Sequence, residues 1–192
     1  MHFNHPVRFL FLATAALFPH NANAQAADSV AFHQGQWGAE FRISGGFLGV
    51  GALRFSSPTR ALLIDVSSDY NHISGSGAAA SSSAVGVFVD LGMRAHHAYG
   101  RRLYRLITFG VSLGYSRQTT STNNTKLEAF GAGPFADLGA TWLVTPHLGI
   151  GAKWRAAIFY THATLSDVIN SAKIDQLNFS LGNIALAGQL YF

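Results

Sequence analysis

Asn183-Ile184-Ala185-Leu186-Ala187-Gly188-Gln189-Leu190-Tyr191-Phe192 ends the chain, and apolar side chains alternate in it with small or polar ones up to the last residue. A period of two is the signature of a strand with unlike faces. Soluble domains seldom stop on an exposed aromatic at the end of a strand, whereas a transmembrane β-barrel brings its last strand to the membrane interface. The chain is therefore expected to be all-β.

The opposite end supports export. Arg8 precedes the apolar run Phe9-Leu10-Phe11-Leu12-Ala13-Thr14-Ala15-Ala16-Leu17-Phe18, and Ala22-Asn23-Ala24 has the small residues of a signal-peptide cleavage site. The run is shorter than the roughly 20 residues a membrane helix needs. Residues 1–24 read as a signal peptide, with Ala26 as the alternative last residue, 25–35 as a short N-terminal segment, and 36–192 as one barrel domain.

Composition fits. Charged residues make up 11% of the chain, against about 25% in soluble domains. Cysteine is absent, so neither a disulfide framework nor a lipoprotein acylation site is available. The net charge of +4 comes from basic residues placed singly, without a run interleaved with aromatics, which argues against nucleic acid.

Outward apolar residues every second position over about ten residues mark a transmembrane strand. That template predicts eight: about 36–44, 47–55, 60–67, 84–94, 103–116, 129–144, 148–160 and 176–192. The fourth is the clearest, with Val85, Val87, Val89, Leu91 and Met93 alternating with Gly86, Phe88, Asp90, Gly92 and Arg94. In the second, Phe47, Leu53 and Phe55 are expected outward and Arg54 inward. Pro134 is awkward in the sixth, because a fully paired strand disfavours proline. In the last, Phe179 and Leu181 are out of phase with Ile184 and Leu186, and a bulge near Gly182-Asn183 would restore the register. Residues 68–83, 117–128 and 161–175 read as long polar loops outside the cell, and the short turns as periplasmic.

Charge follows the same parity. Glu40, Arg42, Arg54, Asp65, Asp90, Arg94, Asp137, Lys153 and Arg155 all fall opposite the apolar set. An eight-stranded barrel has room inside only for side chains, so these residues are expected to pair as a salt-bridged plug. Arg105 and Arg117 break parity near strand ends, where they can snorkel. Trp37, Trp142, Tyr115, Tyr160 and Phe192 suit interfacial aromatic girdles. A soluble lipocalin-like barrel would reverse inside and outside, but its Lys/Glu-studded exterior is missing.

These residues resemble the outer-membrane β-barrel superfamily of Gram-negative bacteria, in its small eight-stranded OmpA and OmpX type. The resemblance implies residence in the outer membrane, lipid as the immediate partner, a monomeric state, and reading of Ile184, Leu186, Leu190 and Phe192 by the barrel-assembly machinery. It brings no cofactor, metal or catalytic residue, and the expected role is structural or surface interaction, with a narrow pore as one alternative. Another is lipid A hydrolysis, since related barrels use a His and a Ser near the end of a late strand. His162-Ala163-Thr164-Leu165 is the nearest match, with Thr for Ser. His96-His97 are expected in a periplasmic turn, pointing different ways.

Overall fold

The computed structural model describes residues 32–73, 81–121, 125–167 and 171–192. The described residues form eight antiparallel strands: β1 (Trp37–Ser44), β2 (Phe47–Ser57), β3 (Arg60–Ile73), β4 (Ser82–Ala98), β5 (Leu103–Thr120), β6 (Thr125–Thr145), β7 (Leu148–Ser166) and β8 (Ser171–Tyr191). Each pairs with its sequence neighbour, and β8 returns to β1 to close the ring. Each strand following its neighbour makes this the simplest closed sheet, and closure leaves no edge strand unpaired. The terminal aromatic takes part. Trp37 N donates to Phe192 O at 3.1 Å and Phe192 N to Trp37 O at 3.0 Å.

Val85, Val87, Leu91, Met93, Phe109, Val111, Leu138, Ile150, Ile158, Ile184, Leu186 and Leu190 are exposed on the outside, forming an apolar outer belt. Pro134 stays within β6, and the ladder to β7 passes over Gly133 and Pro134, so the missing N–H costs no established pair. Gly182 is the expected bulge. Arg155 pairs with Asn183 and Ala156 with Leu181, leaving Gly182 unpaired at φ 96°. The extra residue turns Phe179 and Leu181 to the same outer face as Ile184 and Leu186.

Two expectations are corrected. The three polar loops are mostly strand: β3 and β4, β5 and β6, and β7 and β8 run past the belt, leaving only 74–81, 121–124 and 167–170 between them. Polar alternation looks like loop when lipid is the assumed outer neighbour, yet backbone pairing continues in water. In β2 the parity is reversed: Leu53 and Phe55 are buried inside and Arg54 faces outward, its guanidinium 5.5 Å from the centre of the Trp37 ring. Near this end the barrel interior is apolar, so the rule "apolar means outward" fails there.

The wall has uneven height. β1 pairs with β8 only over Gly38–Ile43 and Leu186–Tyr191, and the β1–β2 hairpin turns at Gly45-Gly46, so β3–β8 rise above it.

A β-branched residue at the bulge should strain the chain. Gly182→Val should lower stability by roughly 1–2 kcal/mol, the cost of a left-handed backbone in an L-residue, while Gly188→Val, with open space around its Cβ position, should leave it unchanged. Urea unfolding in detergent, followed by heat-modifiable gel mobility, compares the two.

Candidate functional site: the barrel interior

Inward side chains stack in three tiers. The lowest, at the end holding the termini, is apolar: Phe32, Leu53, Phe55, Ala61, Leu63, Tyr104, Leu106, Leu143 and Tyr191 form one buried cluster. Phe32 precedes β1 and folds back into the barrel mouth, stacked on Phe55 with centroids 4.6 Å apart and edge-on to Tyr104 at 5.1 Å. His96 belongs to this tier. It lies in β4, not in a turn, 4.9 Å from both Phe32 and Phe55, while His97 points outward as its parity demands. Neither ring nitrogen of His96 finds a hydrogen-bond partner among the described residues.

The middle tier is ionic, and Glu40 is its centre. Arg94 Nη1 donates to Glu40 Oε2 at 2.5 Å and Nη2 to Oε1 at 3.1 Å. Lys153 donates to the same carboxylate from the opposite wall, and Gln189 Nε2 donates to Oε2 at 2.7 Å. Gln189 is itself oriented, since its Oε1 accepts from Thr141 at 2.7 Å and from Tyr191 at 2.6 Å. A fork–fork pair with every lone pair occupied is the arrangement in which buried ions are best tolerated.

A second cluster sits above. Arg155 is held through all three nitrogens: Nε and Nη2 bind Asp137 at 2.7 and 3.0 Å, and Nη1 binds Asp90 at 2.7 Å. Its guanidinium also lies 4.2 Å from the centre of the Phe135 ring. Arg42 Nη2 donates to Asp65 Oδ1 at 2.6 Å and lies 3.5 Å from Asp90 Oδ2. The structure thus brings together eight of the nine charged residues anticipated inside, four acids with four bases; Arg54 stands outside. Apolar parity located these eight but could not say who pairs with whom, because partners lie up to 113 positions apart.

The top tier is a cavity of about 210 Å³ open at the far end, beneath the rings of Phe47, Phe88 and Phe159. Phe88 packs edge-on to Phe47 at 5.8 Å and to Phe159 at 6.2 Å. Glycines make the room: a Cβ on Gly114 would lie 2.6 Å from Phe88, and one on Gly131 2.4 Å from Phe159.

Outside the barrel, on the β7–β8 overhang, His162 Nδ1 lies 2.7 Å from Asp175 Oδ1, which also accepts from Tyr160 at 3.0 Å. Hydrogen bonds from His162 and Tyr160 hold the exposed Asp175 carboxyl below the usual carboxylate range. Sequence reading missed Asp175, whose only signal was its place opposite His162 across a hairpin. Among the described residues no group of three or more His, Cys, Asp or Glu is placed to hold a metal.

Comparison with solved structures matches this architecture. The outer membrane protein OprG of Pseudomonas aeruginosa aligns over 85% of this chain and 99% of its own, with TM-score 0.57 and 11% identity. The fold is that of small outer-membrane β-barrels of the OmpA/OmpX type. A major outer membrane protein of Thermus thermophilus gives TM-score 0.56 at 10% identity over 82% of this chain and 98% of its own. The N-terminal barrel domain of P. aeruginosa OprF gives 0.53 at 10% identity over 84% and 100%. No family model and no curated protein matches the sequence. At such identities these outer-membrane barrels share an architecture with the chain, and its interior must be read from its own residues.

Removing the Glu40 carboxylate would strand Arg94 and Lys153. Glu40→Ala is expected to cost about 3–5 kcal/mol, as for breaking a buried pair. Glu128→Ala, which removes the exposed partner of Arg117 at 3.8 Å, should cost at most about 1 kcal/mol. Urea midpoints in detergent measure both.

Proposed function

We propose that the chain is exported through a cleaved signal peptide and resides in an outer membrane as a closed, monomeric, non-enzymatic barrel. In this reading the termini face the periplasm, and the strand extensions stand outside the cell as its interaction surface. The observation that carries it is the stacking of an aromatic plug under a charge-balanced tier. Ions entering from outside would meet a layer of Arg–carboxylate ion pairs, and then a seal formed by Phe32, Phe55 and Tyr191. Lipid contacts the exposed apolar belt, and Ile184, Leu186, Leu190 and Phe192, all on the outer face of the strand that closes the ring, offer the assembly machinery its recognition edge. Conductance tests closure: the purified protein in planar bilayers should give no unitary steps, and regular steps would contradict it.

A second reading has one specific observation in its favour. The Asp175 carboxylate holds His162 Nδ1, which leaves Nε2 available as a base, and Thr164 follows two positions later on the same outer face. An oriented base beside a hydroxyl is what nucleophilic acyl hydrolysis requires, and lipid A would be the substrate within reach. Lipid A mass in a host producing the chain should be unchanged under the non-enzymatic reading. Loss of an acyl mass that His162→Ala and Asp175→Ala both abolish would establish the hydrolase instead.

A further inference from the structure

We infer that the cavity of the top tier is a binding site for a small arene carboxylate, entering from the open end of the barrel. The two signs of charge are unequally exposed there. The carboxylates of Glu40, Asp65, Asp90 and Asp137 have side chains 0–2% accessible, while Arg42 and Arg155 are 8% and 19% accessible. Arg42, Lys153 and Arg155 line the cavity floor, with Asp137 as the lining acid, and Asp137 is held on both oxygens by Arg155. A solute in the cavity therefore meets positive charge first.

Arg42 adds the specific recognition element. A guanidinium has five N–H donors. Arg94 and Arg155 each use three of theirs in hydrogen bonds to the described residues. Arg42 makes one to them, to Asp65, although the residue is only 7% exposed. It also lies in an ion pair with Asp90 at 3.5 Å, and its remaining donors, which are not among the buried groups without a partner, are at the cavity wall well suited to a planar carboxylate, which a guanidinium can bind with two parallel hydrogen bonds.

The rest of the lining sets the class of ligand. Phe47, Phe88 and Phe159 form an apolar collar above the floor, which fits an aromatic ring stacked or edge-on. Ser67, Ser112 and Ser180 place hydroxyls between collar and floor. A volume of 210 Å³ equals that of about seven waters at ~30 Å³ each, enough for one ring with a carboxylate and too small for a long-chain lipid. Asp69 also faces inward, paired with Phe47 and Gly86, and its Oδ1 is buried without a partner among the described residues, but it does not line the cavity.

The inference rests on the closed-lumen reading, since a conducting barrel would have no floor; single-channel recording tests that closure separately, so the two failures are distinguishable. The experiment is a titration of benzoate into the full chain in detergent micelles, followed by the Arg42 side-chain Nε–H signal and by calorimetry, with benzylamine as the cationic counterpart. The expected result is a saturable shift of the Arg42 signal with benzoate and none with benzylamine. Ala157→Phe fills the cavity without touching an ion pair, and Arg42→Lys keeps the charge but loses the fork; each should weaken benzoate binding about tenfold or more while keeping heat-modifiable mobility. No shift of Arg42 in the unmodified protein, equal binding of benzylamine, or unchanged affinity in a folded variant would overturn the proposal.

Discussion

Everything inside this barrel depends on where the Glu40 carboxylate can find its partners. It lies on β1, and Arg94 on β4 and Lys153 on β7 reach it across the lumen, so one anion ties three strands that share no backbone pairing. An eight-stranded ring is narrow enough for such side chains to meet. Once the ions are there, each must be matched, because an unpaired charge in so confined a space costs several kcal/mol. The second cluster around Asp90 and Asp137 repeats the solution one layer up, with Arg155 bridging β4 and β6.

The tiers divide the work. The apolar tier resembles the core of a small soluble protein, and Phe32 completes it from outside the strand set, which ties the segment before β1 to the stability of the whole. The ionic tier sets the register of distant strands. The top tier combines space with the unspent hydrogen-bond donors of Arg42, and a binding activity of the lumen has its place there rather than along the axis.

Much of this could be read from residues alone. The eight strands, the bulge at Gly182 and the inward placement of Glu40, Arg42, Asp65, Asp90, Arg94, Asp137, Lys153 and Arg155 follow from a period of two and from lipid's intolerance of charge. Arg54 did not follow, because the same rule assumes a polar interior throughout, and at this end Leu53 and Phe55 fill it. The guanidinium then lies outside the barrel over the Trp37 ring. The His162–Asp175 pair and the identity of each ion pair were hidden for another reason: they depend on inter-strand register and side-chain reach. The strand extensions are not legible because polarity does not mark the end of a strand.

The central claim is that Glu40 and Arg94 stabilise the barrel through each other. A double-mutant cycle with Glu40→Gln and Arg94→Met, each variant unfolded by urea in the same detergent, isolates that pairwise term. A coupling of about 2–3 kcal/mol is expected, near the upper range for residues sharing one buried network. Additive losses, with a coupling near zero, would contradict the claim and leave the tier a bystander to a barrel held together by its backbone and its apolar outer belt.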